Sequence, residues 1–337
     1  MRATKHFVGI DVASDSFTVA IHQGRSKPAT LSNSGDGFEE LLLWLKTNGV
    51  NPSKAIVCME ATGVYTEHLC YFLHSKGFRV VVEAPQKVRR AFVNDLYKND
   101  SIDSLRIAEY AYRFHDRLSF WRPSQDIVEQ VKTLLATREQ LTGHLVANRN
   151  ALKAVERKYI KTPLAEKVYL SSMEHIKEQI RLIDKELRKL ISNHPTIGRT
   201  MALVMSIPGV SMLLACNILV VSQGFTRSLK ARQLASHIGI CPFERQSGTS
   251  VRRRPRSRRY GPERLRKLLY LAALSLRTHN ESFKRYFLRK VEQGKSKRLV
   301  LNNIANKLLR IITAVLQSGT PFIKDFKSVN PILVSNT

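Results

Sequence analysis

Acidic residues and cysteine are both scarce in this sequence, and each scarcity excludes a class of protein. The 337 residues contain 27 aspartates and glutamates against 55 lysines and arginines, which gives a formal net charge of +28. A protein this basic is expected to bind a polyanion, first of all nucleic acid and only second an anionic membrane surface. The four cysteines form no Cys-x-x-Cys pair and mostly lie in or beside apolar runs. They are typical of small core residues in a reducing compartment, which argues against a disulfide framework or a zinc site.

Long apolar runs are also missing. The longest nearly uncharged stretch, residues 201–224, is interrupted at Pro208-Gly209, so it predicts two short buried helices and no membrane span. The first residues lead straight into a predicted strand and carry no apolar segment of the signal-peptide kind. The sequence therefore predicts a soluble cytoplasmic protein of two or three domains with no membrane partner.

Four of the scarce acids stand out by position. Asp11 ends the apolar run 7–10, Glu60 ends the apolar run 55–59, and Asp100 and Asp103 lie three apart at the start of a predicted helix. Spacing of three places both carboxylates on one helical face. Converging carboxylates repel one another unless a cation lies between them, and hard oxygen ligands suit Mg²⁺ or Mn²⁺, which support displacement at a phosphodiester. Each acid also has an ordinary explanation, as a turn or cap residue or as a complement to a helix dipole.

Residues 1–122 alternate between strand and helix patterns. The patterns predict a β-hairpin over residues 6–22, a loop over 31–37, helices over 38–47 and 63–75, and strands over 54–60 and 78–83. This order predicts an α/β layer with a mixed sheet, and sites in such sheets form at strand ends. Four basic residues precede the paired acids and are interpreted either as solvated surface or as contacts to the phosphates of the cut strand. They are Lys87, Arg89, Arg90 and Lys98.

Residues 123–195 have a different pattern, in which apolar residues recur every three or four positions. The pattern predicts two long helices, broken near Pro163 and paired as an antiparallel coiled-coil hairpin. Arg138 and Asn148 interrupt the first apolar stripe. Dimerisation is one role for such a hairpin, and packing on its own domain is the alternative.

A helical region follows over residues 196–327, with a tail over 328–337. Ser206 to Val210 lies between two apolar stretches and resembles a helix-hairpin-helix turn, whose amides can hold a phosphate, although such a turn is often purely structural. A predicted loop, 241–250, precedes a run with six arginines in nine residues, which indicates either a phosphate clamp or a disordered basic segment. A helix then begins after Gly261-Pro262 and carries Arg266. The six arginines are Arg252, Arg253, Arg254, Arg256, Arg258 and Arg259.

Ser247, in that predicted loop, is a second candidate for chemistry. A serine hydroxyl in a Ser-Gly turn beside many arginines is suited to attack a phosphodiester, with the arginines stabilising the charge that develops on phosphorus oxygens. On spacing alone, Ser250 and Ser257 are equally eligible, and Ser-Gly is a frequent turn dipeptide. No histidine has a spacing to Ser247 that suggests a hydrolase triad.

Taken together, these segments resemble the DEDD transposases and Piv-type DNA invertases of the insertion-sequence one-hundred-and-ten family. The resemblance covers about residues 6–320. Its N-terminal part rests on Val8 to Val12, Met59 to Gly63 and Lys98 to Asp103, and its C-terminal part on Ile207 to Val210, Leu234 to Gly239, Ser247-Gly248, Gly261 and Leu265-Arg266. The stretch after Ser247-Gly248 is richer in arginine than is expected for the family.

The resemblance implies a RuvC-like, RNase H-type fold for residues 1–122 and a mainly α-helical transposase domain for residues 196–327. It implies that Asp11, Glu60, Asp100 and Asp103 bind metal and that Ser247 becomes joined covalently to DNA. It further implies a structured noncoding guide RNA that pairs with donor and target DNA. The implied assembly is a tetramer of two dimers, acting at the bacterial nucleoid, with the active site shared between subunits.

Two other functions stay open at this stage. A metal-dependent RuvC-like endonuclease, or a site-specific invertase without guide RNA, would use the same acids. A noncatalytic nucleic-acid-binding protein would need only the positive charge, and the intact acidic quartet counts against it.

Overall fold

The computed structural model of the protein describes residues 6–92, 99–226, 230–247, 251–257 and 261–324. The chain forms two compact units, Met1–Pro123 and Ser124–Thr337. The mixed α/β organisation of the first unit and the mainly helical character of the second are as the sequence predicts. The further division at residues 195 and 196, and the tail from residue 328, stay predictions, and the tail lies outside the described residues.

The first unit is built on a five-stranded mixed sheet in the order β3-β2-β1-β4-β5. Strand β1 pairs antiparallel with β2 and parallel with β4, and β4 pairs parallel with β5. The strands are β1 (His6–Val12), β2 (Ser16–Ile21), β3 (Ala29–Ser32), β4 (Ala55–Glu60) and β5 (Arg79–Glu83). The helices are α1 (Gly35–Thr47), α2 (Glu67–Ser75), α3 (Pro85–Ala91) and α4 (Asp100–Arg113), with short 3₁₀ turns at Pro52–Lys54 and Gly63–Thr66.

The prediction of a loop over residues 31–37 is wrong at both ends. The edge strand β3 continues to Ser32, and helix α1 begins at Gly35 because the Ser34 hydroxyl accepts a hydrogen bond from the Gly37 amide at 3.4 Å. The Ser and Gly content that indicates a loop here belongs to a half-exposed edge strand and a helix cap. Pro85 follows the end of β5 and also occupies the first turn of α3, where its missing amide hydrogen is not needed.

The sheet is covered on both faces. One face packs on α1 and α2 through a core that includes Leu41 and Leu73, and the other packs on α3 and α4 through a core that includes Val88 and Ile107. Helix α4 comes unusually close to β1. A Cβ atom added at Gly9 would lie 2.1 Å from the Ser104 carbonyl oxygen and 2.3 Å from the Ala108 nitrogen, so only glycine fits.

We expect Gly9→Ala to lower the free energy of unfolding of the first unit by about 3 kcal/mol or more, because its methyl group would meet backbone that cannot rotate away. Both tryptophans, Trp44 and Trp121, lie in the first unit, so urea denaturation followed by tryptophan fluorescence reports on that unit alone. Gly35→Ala is the matched control, since its added Cβ has no heavy atom within 4 Å. Equal midpoints for the two variants would contradict the close approach of α4.

The second unit contains eight helices and a two-stranded hairpin among its described residues. The helices are α5 (Asp126–Glu156), α6 (Pro163–Ser192), α7 (Pro195–Met205), α8 (Met212–Val221), α9 (Ala231–Ile238), α10 (Glu263–His279), α11 (Glu281–Glu292) and α12 (Lys297–Ser318), and the strands are β6 (Pro242–Ser247) and β7 (Val251–Ser257). Residues of α5 and α6, such as Val131 and Leu187, share one core with the C-terminal helices. Three of the four cysteines are buried, as predicted for small core residues, and the fourth, Cys241, is half-buried.

Helices α5 and α6 run antiparallel, as the pairing of their polar side chains shows. Arg138 donates to Asp184 at 2.7 Å near one end, and Asn148 donates to Ser172 at 2.8 Å nearer the connecting turn. The two polar residues that interrupt the apolar stripe of α5 therefore have partners on α6. Supercoiling and dimerisation of this pair stay predictions.

The uncharged stretch 201–224 contains the end of α7 and all of α8, and the chain between these two short helices turns at Gly209, with φ near 81°. By length and composition alone, one described helix, the 22-residue α12, is apolar enough to cross a membrane. Half of its most apolar window is buried, and residues such as Ile304 and Leu308 pack in the core of the second unit. This is the packing of a core helix.

The prediction of a loop over residues 241–250 is wrong for most of that range. Residues 242–247 form β6, which pairs antiparallel with β7, and the register shifts between Phe243 and Arg245. Of the two interpretations of the arginine run, the pairing favours an ordered segment over 251–257. Composition indicates a loop here because proline, serine and glycine are common in turns, but it does not register backbone pairing with the following strand.

Candidate active site

Asp11 and Glu60 lie side by side at the ends of neighbouring parallel strands. The register that pairs Ile10 with Met59 places Asp11 next to Glu60. Residues two apart on a strand share a face, so Glu60 is on the same face as Cys58, whose side chain packs towards α3 and α4. Asp11 follows Gly9 on this face, where α4 crosses β1. Two of the four predicted acids are thus brought together by the sheet.

Helix α4 supplies the other two acids from its first turn. Its N-terminus is fixed by Asn99, whose side-chain oxygen accepts a hydrogen bond from the Ser101 amide at 3.0 Å. Asp103 is half-buried and forms an ion pair with Arg106 at 3.1 Å, while Asp100 is exposed. The close contact of Ser104 with β1 sets the distance between this turn and the strand ends.

The electrostatics of Glu60 show that two of the other acids act on it. Burial raises the pKa of Glu60, the negative charges of Asp11 and Asp103 raise it further, and Arg89 opposes them. Asp11 and Asp103 both act through their charge, so each lies close enough to Glu60 to repel its carboxylate. A site of this kind favours either a proton or a cation among its carboxylates.

The donor atoms fit a hard divalent cation by type, although they are not gathered around one point. Within the described ranges, no three His, Cys, Asp or Glu side chains are grouped closely enough to share a metal ion. Arg106 holds Asp103 in the ion pair described above. Close by in sequence, the Thr62 hydroxyl oxygen is buried and has no hydrogen-bond partner among the described residues. Carboxylate and hydroxyl oxygens are the donor types that suit Mg²⁺ or Mn²⁺.

Glu83 is a further acid at this edge that the sequence reasoning missed. It is buried and pairs with Glu60 in the register of β4 and β5, and Lys87 forms an ion pair with it at 2.8 Å. The hydrogen bond to Glu83 raises the pKa of Lys87. The sequence contained a signal for this acid, because Glu83 ends an apolar run, as Asp11 and Glu60 do.

The basic residues proposed for phosphate contacts have different surroundings. Lys87 is engaged by Glu83, whereas Arg89 and Arg90 are exposed on α3. Arg266 donates a hydrogen bond to the Ile238 carbonyl at 2.9 Å, at the end of α9. Four arginines of the run lie in β7, namely Arg252, Arg253, Arg254 and Arg256. Lys98, Arg258 and Arg259 lie outside the described residues.

Ser247 is the last residue of β6, where it pairs with Val251. It belongs to the second unit, whereas the four acids belong to the first. Ser257 ends the partner strand β7, and Ser250 lies outside the described residues. The roles of Ser247 and of the acids stay predictions at this point.

Two family profiles match the chain. The profile of DEDD transposases of the IS110 type matches residues 8–160, and that of the IS116/IS110/IS902 transposase family matches residues 201–288. The first range contains the four acids and the second contains Ser247.

Individual relatives extend these matches over nearly the whole chain. It is 29% identical to the pilin gene-inverting protein of Moraxella lacunata over 331 residues, which cover 95% of this chain and 98% of the relative. It is 28% identical, with the same coverage, to the pilin gene-inverting protein of Moraxella bovis. An uncharacterized 43.6 kDa protein of insertion element IS110 from Streptomyces coelicolor is 27% identical over 150 residues, covering 44% of this chain and 36% of the relative.

Proposed function

Because this chain belongs to the IS116/IS110/IS902 family of transposases and is therefore a DNA recombinase of the transposase type, we propose that it is guided by RNA and joins DNA through a phosphoserine. In this proposal it cuts and rejoins donor and target DNA of an insertion sequence. The observation that carries the catalytic part is that Asp11 and Glu60 lie at adjacent strand ends, where the charges of Asp11 and Asp103 both act on Glu60.

The acids of the first unit would hold Mg²⁺ or Mn²⁺. Asp11 and Glu60 offer ligands from adjacent strand ends, and Asp100 and Asp103 offer them from one helical turn. A bound divalent ion supplies Lewis-acid polarisation of a phosphoryl oxygen and stabilises a leaving oxygen. Asp103 would exchange its ion pair with Arg106 for this role, which frees the guanidinium for a phosphate. The RuvC-like fold that the resemblance implies is compatible with the mixed sheet of the first unit.

Ser247 would act as the nucleophile. Its Oγ forms a bond to phosphorus, the bond from phosphorus to one DNA oxygen breaks, and the hydroxyl proton leaves while the departing oxygen gains one. The arginines of the adjacent strand would contact the nonbridging oxygens. Because the phosphoserine keeps the energy of the phosphodiester, a second DNA hydroxyl can attack it and complete strand exchange without another energy source.

A structured guide RNA and a tetramer of two dimers complete the proposal. The net charge of +28 favours association with the backbones of both RNA and DNA. Base pairing would select the DNA, and the protein would recognise the shape and backbone of the duplexes. Hairpin α5–α6 is the proposed dimerisation element, and a shared active site would bring Ser247 of one subunit to the acids of another.

A second candidate is a site-specific DNA invertase that acts without guide RNA. The observation in its favour is similarity over 98% of a relative that is named for inverting a pilin gene.

Analysis of the RNA that co-purifies with the protein tests the guided mechanism. We expect a discrete RNA species, encoded beside the gene, and we expect sequence-specific DNA joining to disappear after nuclease removal of that RNA and to return when it is added back. Joining that proceeds equally well without RNA would contradict guidance and would favour the invertase.

A further inference from the structure

A compact set of cations lies on α11 and α12, and none of its members was among the basic residues that the sequence singled out. We define the α11–α12 basic cluster as Tyr286, Arg289, Lys290, Lys307 and Arg310. The Lys307 ammonium lies 3.7 Å from the centre of the Tyr286 ring, and the Arg289 guanidinium carbon lies 6.0 Å from it. The tyrosine therefore gathers two cations from different helices around one ring.

Within the described part of the chain, no carboxylate lies at ion-pairing distance from the four cations of this cluster. The Lys290 ammonium donates a hydrogen bond to a neutral group, the side-chain oxygen of Gln293, at 2.8 Å. Burial lowers the pKa of Lys307, and the positive charges of Arg289, Lys290 and Arg310 lower it further. The other three cations of the cluster thus repel the Lys307 ammonium, and no carboxylate among the described residues pairs with any of the four.

Exposed cations on another helix of the same unit are paired with carboxylates. On α6, Lys177 pairs with Glu174 at 3.0 Å and Arg181 pairs with Glu178 at 2.9 Å. Such pairs neutralise the surface locally at little cost. A cluster that lacks them keeps its positive potential for an external anion and destabilises the free protein through self-repulsion.

We propose that the α11–α12 basic cluster binds the phosphodiester backbone of a nucleic acid. Arg289 and Arg310 are both exposed, and their planar guanidinium groups suit bidentate contact with phosphate oxygens. Lys307, held against Tyr286, supplies a fixed point charge at the same ring as Arg289. The ligand is recognised by charge and spacing, so the contact is independent of base sequence. The proposal rests on the proposed function only in that this protein handles nucleic acid.

The test is salt-dependent binding of a short duplex DNA and, separately, a duplex RNA of equal length, measured by fluorescence anisotropy with the full-length protein. In the triple variant Arg289→Gln, Lys307→Gln and Arg310→Gln, three phosphate contacts are lost. We expect the slope of log K against log salt to shrink by about 3 for the polymer that the cluster contacts, with affinity falling at least about tenfold. The polymer that loses affinity identifies whether the cluster holds DNA or RNA.

The matched control removes the same charge from the first unit, as Lys76→Gln, Arg113→Gln and Arg117→Gln, whose cations pair with Glu39, Glu109 and Asp116. This control is expected to keep the wild-type slope. An equal loss in both variants would mean that net charge alone acts, and wild-type binding by the cluster variant to both polymers would overturn the proposal.

Thermal stability separates a binding role from a structural one. Lys307 has its pKa lowered in the folded state, so its charged form is destabilised by folding at neutral pH, and this destabilisation disappears only as pH rises towards its unfolded pKa. Neutralising Arg310 alone removes one source of this repulsion without touching Tyr286. We expect Arg310→Gln to bind more weakly while melting at or above the wild-type temperature. A lower melting temperature with unchanged binding would overturn the proposal.

Failure here is distinguishable from failure of the proposed function. Binding by the cluster is measured without metal or chemistry, so normal binding by the cluster variant would leave metal-dependent recombination untouched. Conversely, loss of cleavage after a change in the acids leaves the binding measurement unaffected.

Discussion

Replacing Asp11 with Asn is expected to reduce metal-dependent cleavage and joining of DNA by about a thousandfold, because a divalent ion loses a charged ligand between two parallel strands. Several kcal/mol of transition-state stabilisation come from such an ion, and each 1.4 kcal/mol is worth about tenfold in rate. Asn keeps the size of the side chain and removes only its charge. The measurement is single-turnover cleavage of labelled DNA across a Mg²⁺ or Mn²⁺ titration.

The folded state of this variant is expected to survive unchanged or become more stable. Repulsion from Asp11 contributes to the raised pKa of Glu60, so at neutral pH the ionised Glu60 costs stability that would be regained only as pH falls below its folded pKa. Removing the Asp11 charge relieves part of that cost. A variant that is inactive and at least as stable as the wild type marks a functional, destabilising site.

Asp15→Asn is the matched control for this prediction. Asp15 lies four residues further along, exposed in the turn between β1 and β2. The Asp15→Asn variant loses one negative charge from the same hairpin, and we expect it to cleave DNA at the wild-type rate. If Asp11→Asn cleaved as fast as Asp15→Asn, the acids would not bind the catalytic ion, and the first unit would need another role.

The placement of the acids could be predicted from sequence because it follows from strand periodicity. An apolar run that ends in an acid predicts a strand with a carboxylate at its end, and parallel neighbours bring those ends to one edge. Asp11 and Glu60 meet for this reason. The same reasoning, applied to the third apolar run, would have found Glu83. What periodicity does not contain is the ion pair of Asp103 with Arg106, which depends on side-chain conformation.

The two wrong loop predictions share a physical cause. The conformation of a short edge strand depends on its pairing with a neighbouring strand. Strand β3 alternates over only four half-exposed residues, and β6 begins at Pro242 and ends at Ser247, two residue types that are common in turns. Each owes its conformation to pairing with a neighbouring strand. Gly9 shows the opposite case, in which one residue type indicates a close contact but not its partner, helix α4.

Replacing Ser247 with Ala is expected to abolish the covalent protein–DNA adduct and all strand joining, a loss on the order of 10⁴-fold or more, since no other atom of the side chain can form the bond to phosphorus. Denaturing electrophoresis of protein mixed with labelled DNA, RNA and metal measures the adduct directly. DNA and RNA binding should be retained, because the hydroxyl of one residue at the end of β6 contributes little to a protein with a net charge of +28.

The neighbouring serines are the matched controls, because spacing alone makes them equally eligible. Ser250→Ala and Ser257→Ala change the same hairpin region by the same atom, and both variants are expected to form the adduct at the wild-type level. Adduct formation by Ser247→Ala would exclude this serine as the nucleophile. A wild-type protein that cuts DNA with metal and forms no adduct would make water the nucleophile. In that case the four acids would carry all of the chemistry, as in a metal-dependent endonuclease, and the serine would be an ordinary strand-end residue.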